Sequence, residues 1–369
     1  MVNGIFELNL FVKESNLKVA YLLILKSNQY DSVYDKVISQ VETWQSLGVD
    51  VKLFLITNEI VKHPNVEVIS PSFTWSLARK LKQVIDCFSP DIIYHRMWVL
   101  PTLLVPLFFS NYKLVAELNT DTDAEIKLQR SSSLKGFITY VYNLVTKPFY
   151  HRCLSAVVSV TKELSTSVSV GNVAIVPNSI DIEGFKYRKE VNSSLSILFV
   201  GTPGLMWHGL DILNQLAKAT NGTLQFHVVG MERDVLSDPA ENIHFHGYLP
   251  MDEYADIAKR CSVGMGTLAL HRKGMKEACP LKVREYLAAG LPVILPYEET
   301  AFLDEEPSWI LKINSSQDVL DSKTITNVVK FTQKVQKVVV EQHDVARFID
   351  SHQIERKRVA FMKTLMGIE

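Results

Sequence analysis

Apolar runs of strand length alternate with stretches of helical spacing along most of the 369 residues. After a leader of about seventeen residues, VAYLLILK (Val19 to Lys26) is a continuous apolar run of buried-strand length. Apolar positions then recur at helical intervals from Asp35 to Leu47, Gly48 gives a stop, and VDVKLFLI predicts a second strand. A strand, a helix and a strand in that order predict a parallel sheet. The pattern recurs with a helix over Ser76 to Phe88 that ends before Pro90, then strands at DIIYHR, at Lys113 to Leu118, at AVVSVT and at VAIVPN. A polar segment, Tyr187 to Ser194, predicts a hinge. Beyond it a second unit of the same kind begins at LSILFVG. It continues through a helix to Ala219, strands QFHVVG and IHFHG, a helix MDEYADIAKRC, the short strand VGMG, and helices over Ile325 to Ile349 and Gln353 to Leu365. No internal repeat of solenoid period is present.

Length and composition fit this two-unit reading. The chain is too long for most single cores. Its 47% hydrophobic and 21% charged residues are ordinary for a soluble globular protein. A formal net charge of -1 gives no basis for nucleic-acid binding. Cys87, Cys153, Cys261 and Cys279 lack zinc-ligand or disulfide-framework spacing, so a reducing compartment is expected. The leader has no signal-peptide pattern and no apolar run reaches eighteen residues, which predicts a cytoplasmic protein or one peripheral on a membrane face.

The most informative stretch is Glu277 to Pro292, EACPLKVREYLAAGLP. Pro280 suits the first position of a helix and Gly290 suits its end. The free amides of Leu281 and Lys282, with the positive end of the helix dipole, would then form an anion site to which Lys282 adds a charge. Glu285 shares a face with Lys282, and Glu277 lies in the loop ahead. Seven residues between two glutamates is weak alone, since Glu298 and Glu306 have the same spacing without a helix start, a lysine or a following Gly-x-Pro-Val. In its context the stretch resembles the motif of family-four retaining glycosyltransferases of the GT-B fold. VPNSIDIEGF (Val176 to Phe185) resembles a second signature of that family, with Ser179 in place of glycine. The resemblance runs over nearly the whole chain and is strongest in its second half.

The resemblance implies an α/β, GT-B fold: two Rossmann-like domains facing across a cleft, with a C-terminal helix crossing back to the first. It places an acceptor domain at 1–185 together with 352–369, and a nucleotide-sugar domain at 195–350. It implies that Glu277 contacts hydroxyls of the donor sugar and Glu285 the ribose. The donor-side loop FVGTPGLMWHGLD supplies Gly201, Thr202, Pro203, Gly204, His208 and Gly209, with Thr202 and His208 standing where relatives carry basic residues. Lys282 is therefore the main cation expected at the diphosphate. His208, if protonated, and Arg272 with Lys273 are further candidates, against the plainer readings of packing on Trp207 and of solvated loop charges. Tyr248 is a candidate for the nucleotide base or for the core. Glu117 and Asn119, in AELNTDTDAE, are candidates for the acceptor side or reacting centre. Asp121 and Asp123 form an Asp-x-Asp that reads more simply as a helix cap than as a metal site. Leu134 to Arg152 interleaves basic and aromatic residues, as a membrane-surface helix or a domain-core helix would.

These features imply a retaining transferase acting on a nucleotide diphosphate sugar, UDP- or GDP-linked, with no metal or other cofactor. The acceptor would be a glycan or a lipid-linked glycan of a cell-surface polysaccharide. A sugar-nucleotide epimerase of similar fold and a catalytically inactive binding relative are the alternatives.

Overall fold

Buried apolar strands with polar helix faces between them have the expected outcome. The computed structural model describes residues 16–25, 32–72, 74–130, 133–191, 193–303, 305–314 and 317–368. The first sheet holds β1 (Lys18–Ile24), β2 (Asp50–Ile56), β3 (Val66–Ile69), β4 (Ile92–Arg96), β5 (Lys113–Leu118), β6 (Ala156–Ser159) and β7 (Val173–Ile175). All are parallel, in the order 3-2-1-4-5-6-7. The second sheet holds β8 (Ser196–Val200), β9 (Gln225–Val229), β10 (Ile243–Phe245), β11 (Val263–Met265), β13 (Val293–Leu295) and β15 (Ile310–Lys312), in the order 10-9-8-11-13-15. Between these last strands, β12 (Glu277–Ala278) and β14 (Glu298–Glu299) pair with each other. Each sheet reverses its strand order beside its first strand, which is where an open α/β sheet forms a crevice at the strands' carboxyl ends.

Helices α1 (Ser32–Ser46), α2 (Thr74–Phe88), α3 (Thr122–Gln129), α4 (Leu134–Cys153) and α5 (Lys162–Ser165) serve the first sheet. Helices α6 (Leu210–Ala219), α7 (Met251–Arg260), α8 (Leu281–Ala288), α9 (Ser322–Val335) and α10 (Gln342–Ile349) serve the second. The last helix, α11 (Ser351–Met366), returns to the first domain: Ile354, Val359 and Met362 share a core with Val19, Trp44 and Tyr94. An isolated bridge between Ile180 and Asp350 holds the two crossings side by side.

Three local expectations are corrected. The helix expected over Ile325 to Ile349 is two helices, because the intervening turn is used as a lock: Lys189 Nζ donates to the carbonyls of Val335 and Val338, and Val340 N–H donates to Gly290 O. The expected hinge is likewise anchored at its start. Tyr187 and Lys189 are buried, Lys189 N–H donates to Ala289 O, and the Arg188 guanidinium donates to Ala288 O and Val340 O. Pro280 is the residue before the first helical position, with φ -77° and ψ 145°, one place earlier than expected. Strands β3 and β15 were not anticipated; each is short, and too little apolar run marks them. Residues 1–15 of the leader, and Lys26, lie outside the described residues.

Candidate active site

A cavity of about 630 Å³ lies between the two sheets and is lined by both domains. That volume suits a nucleotide-sized ligand. The second domain contributes Gly201, Thr202, Pro203 and His208 from the loop after β8, Tyr248 and Tyr254, and Leu281, Lys282 and Glu285 from α8. From the first domain come Asp35, Lys36, Arg96, Asn119, Thr120 and Glu125.

Helix α8 is held by the chain on either side of it. Gly290, at φ +80°, ends the helix in a left-handed conformation that glycine adopts without strain. Ahead of α8, Asn178 N–H donates to Cys279 Sγ at 3.0 Å and Asn178 Nδ2 donates to Cys279 O at 2.5 Å. Arg284 is fully buried, pairs with Glu299 at 2.8 Å and donates to Asn178 O at 2.9 Å. The VPNS signature of the first domain thus fixes the amino end of α8. Because the first amides of a helix lack intrahelical partners, the amino end of α8 presents Leu281 and Lys282 to the cavity.

Lys282 is half-buried and donates through Nζ to Val200 O at 3.0 Å, with the ammonium 4.5 Å above the Phe199 ring. It forms no ion pair among the described residues. Burial pushes its amine down to about 7, and the nearby Glu285 offsets this only in part. Burial also raises the Glu285 carboxyl, although Tyr254 O–H donates to it at 2.9 Å. The loop after β8 is tight: a side chain at Gly230 would run into the Gly201 carbonyl. His208 Nδ1 accepts from Thr202 N–H at 3.1 Å, so the ring proton of the neutral form sits on Nε2. Burial, with Lys282 and Lys273 nearby, holds His208 well below its ordinary value. His208, a candidate cation only if protonated, is thus held neutral, with its ring proton on Nε2.

Five of the expected site residues do not line the cavity. Glu277 directs a carboxylate oxygen at the first turn of α5, accepting from Glu163 N–H at 3.0 Å, while Glu163 accepts from Lys276 N–H and Glu277 N–H at 2.8 Å each. Glu117 is completely buried in the first domain. It pairs with Lys36 and Arg358, each at 3.0 Å, and accepts from Asn119 Nδ2 at 3.0 Å. Burial works to raise its carboxyl, but Lys36, Arg358 and Arg96 outweigh that and hold it well below the usual carboxylate range. Its placement at the reacting centre is corrected: it is a saturated structural charge, whereas its neighbour Asn119 does reach the cavity. Arg272 turns away to bind Asp211 and Asp318. Gly204 and Gly209, both at positive φ, shape the turn rather than line the space.

Other expectations resolve simply. Tyr248 is exposed at the cavity rim, so it is no core residue. Lys273 is buried rather than solvated and crosses the cleft to Glu125 and Thr120, 2.7 Å from each. Asp121 caps α3 by accepting from Ala124 N–H, and Asp123 pairs with Lys147 at 2.5 Å. Sequence reasoning missed Asn178 as a cavity residue; its buried side-chain amide oxygen, Oδ1, has no partner among the described residues. It missed Arg96 too, the last residue of β4, whose only signal was its position at a strand's carboxyl end.

No protein-family model matches the chain, and no curated protein matches its sequence. Solved structures do match in fold. A glycosyltransferase from Rickettsia africae ESF-5 aligns at TM-score 0.65 and 11% identity, covering 96% of this chain and 100% of the other. An alpha-glucosyltransferase in complex with UDP and a 13-mer DNA aligns at 0.61 and 10% identity, covering 94% and 100%. A putative UDP-N-acetylglucosamine 2-epimerase from Listeria monocytogenes aligns less well, at 0.51 and 11% identity over 96% and 97%. At these identities the likeness is one of fold, and the fold is GT-B.

Proposed function

We propose that this chain is a retaining glycosyltransferase that moves a sugar from a UDP- or GDP-linked donor to a glycan or lipid-linked glycan of a cell-surface polysaccharide. The observation that carries the reading is Lys282, half-buried at the open amino end of α8 and without an acidic partner among the described residues, inside a cleft between two Rossmann-like domains. A cation and helix amides fixed before the ligand arrives suit the negative charge that develops on a departing diphosphate. In this reading neutral His208 supplies a further donor through Nε2, and Glu285, held by Tyr254, binds the ribose hydroxyls. In the reaction the bond from the anomeric carbon to diphosphate oxygen breaks and a bond to the acceptor hydroxyl oxygen forms. The acceptor's proton leaves with the nucleoside diphosphate.

Glu277 contacts the donor sugar in this reading, which requires its link to Glu163 to open or be shared. Glu277→Ala is expected to lose transfer while keeping nucleotide affinity and its circular dichroism; full transfer by that variant rules out its role. The same assay separates the alternatives. Product formed from donor alone marks an epimerase, for which the weaker fold likeness is the support, and nucleotide binding without turnover across a donor and acceptor panel marks an inactive relative.

A further inference from the structure

Helix α4 carries its polarity the wrong way round for a helix facing water. Its inward side makes the polar contacts: Asn143 and Lys147 bind Asp123, Tyr142 O–H donates to Leu100 O, and Thr146 donates to Tyr142 O. Its outward side presents Leu134, Phe137, Ile138, Val141, Leu144 and Val145, all exposed, with Leu134 at 76% and Val145 at 71%. Their spacing of three and four residues sets them in one stripe along the helix. Past its far end the apolar surface continues, because Phe149 packs on Phe108 and the adjoining Phe109 is 80% exposed. Isolated exposed apolar residues are ordinary, but a contiguous stripe marks a surface that something covers.

Charge identifies the cover. The sequence from Leu134 to Cys153 holds Lys135, Lys147 and Arg152 and no acidic residue. Lys147 is tied to Asp123, and Lys135 and Arg152 stand exposed at the two ends of the stripe. A second copy laid along it in antiparallel fashion would set Lys135 against Arg152, and in parallel fashion each against itself. Both arrangements bring like charges together; an anionic lipid surface meets both charges favourably. Helix α4 is joined to α3 through Asp123, and Glu125 of α3 is bound by Lys273 from the opposite cleft wall.

We propose that the outward face of α4 docks the protein on a membrane containing anionic lipid, lying in the plane of the headgroups. No helix among the described residues is long and apolar enough to cross a membrane, so docking is by surface contact alone. The inference is independent of the proposed reaction, since vesicle binding needs neither donor nor acceptor. Its test is co-sedimentation of the full chain with vesicles of phosphatidylcholine alone and with about one third phosphatidylglycerol. The expected result is binding to the anionic vesicles, abolished in the double variant Val141→Glu, Val145→Glu. Lys135→Gln and Arg152→Gln are each expected to weaken binding roughly fivefold at low salt. Both valines are exposed and glutamate is the better helix former, and unchanged circular dichroism and nucleotide titration confirm that the variants fold. Absence of binding to anionic vesicles overturns the proposal, as does equal binding by the double glutamate variant. A dimer in solution that the glutamates dissociate, with vesicle binding unaffected, assigns the face to a second copy and overturns it too.

Discussion

The two walls of the cleft use buried charge in opposite ways. In the first domain, Glu117, Lys36, Arg358 and Glu355 form a closed network: Glu355 binds Arg358 and Trp44 Nε1, each at 2.8 Å, and Ser179 Oγ at 2.7 Å. Each of these charges has an opposite partner, and the network fastens α11 to the first sheet. In the second domain Lys282 donates only to a backbone carbonyl and a ring face. A compensated buried charge belongs to the fold; an uncompensated one that lines the cavity, as Lys282 does and the carbonyl-locked Lys189 does not, is a candidate for function. The contrast explains why Glu117, an acidic side chain at a strand end, is read as architecture, while Lys282 is the proposed site.

The largest effect should come from breaking the compensated wall. Arg358→Met leaves Glu117 and Glu355 buried with a cation removed, and is expected to cost about 3–5 kcal/mol of stability in urea unfolding. A loss below the error of such a measurement would show that the network is not a closed unit. On the other wall the effect should fall on binding instead. Lys282→Met is expected to weaken UDP or GDP roughly tenfold to a hundredfold by calorimetry, the worth of a hydrogen bond to a charged group, with the unfolding midpoint unchanged or raised.

The pH dependence sharpens the same contrast. In the free protein Lys282 gives up its proton near pH 7, well below the ordinary lysine value of 10.5, because burial disfavours the charged form. Bound diphosphate requires the charged form. Below pH 7 the amine is already charged, and above it binding must take up a proton, so affinity should fall roughly tenfold per pH unit above 7 until the bound-state value is reached. Titrations in buffers of different ionisation enthalpy should report that uptake, and Lys282→Met should abolish it. His208, neutral throughout this range, should leave the profile unchanged. The smallest effect is expected from Tyr254→Phe, which removes one hydrogen bond from Glu285 and should weaken nucleotide binding by about fivefold, or about 1 kcal/mol.

Much of this was legible in the chain because the features are local. The alternation of apolar runs and helical spacing defines two parallel sheets, and Pro280, Lys282 and Gly290 mark α8 without any tertiary information. What could not be read depends on contacts distant in sequence. Glu117 looks like a site residue until Arg358, from the last helix, is seen to reach it. Ser179, where the signature that this stretch resembles has glycine, donates its hydroxyl to Glu355. Glu277 and Glu163 cap each other's backbone across the cleft, a pairing no spacing reveals. For α4 the sequence shows basic and aromatic residues interleaved along a helix, and only the folded chain shows which apolar residues form the outward stripe.

The central claim is tested most directly by a crystal structure of the complex with UDP or GDP. The account predicts diphosphate oxygens within hydrogen-bond reach of the Leu281 and Lys282 amides, with Lys282 Nζ turned from Val200 O toward them. Nucleotide seated elsewhere, or a diphosphate that leaves Lys282 on the Val200 carbonyl, would contradict it.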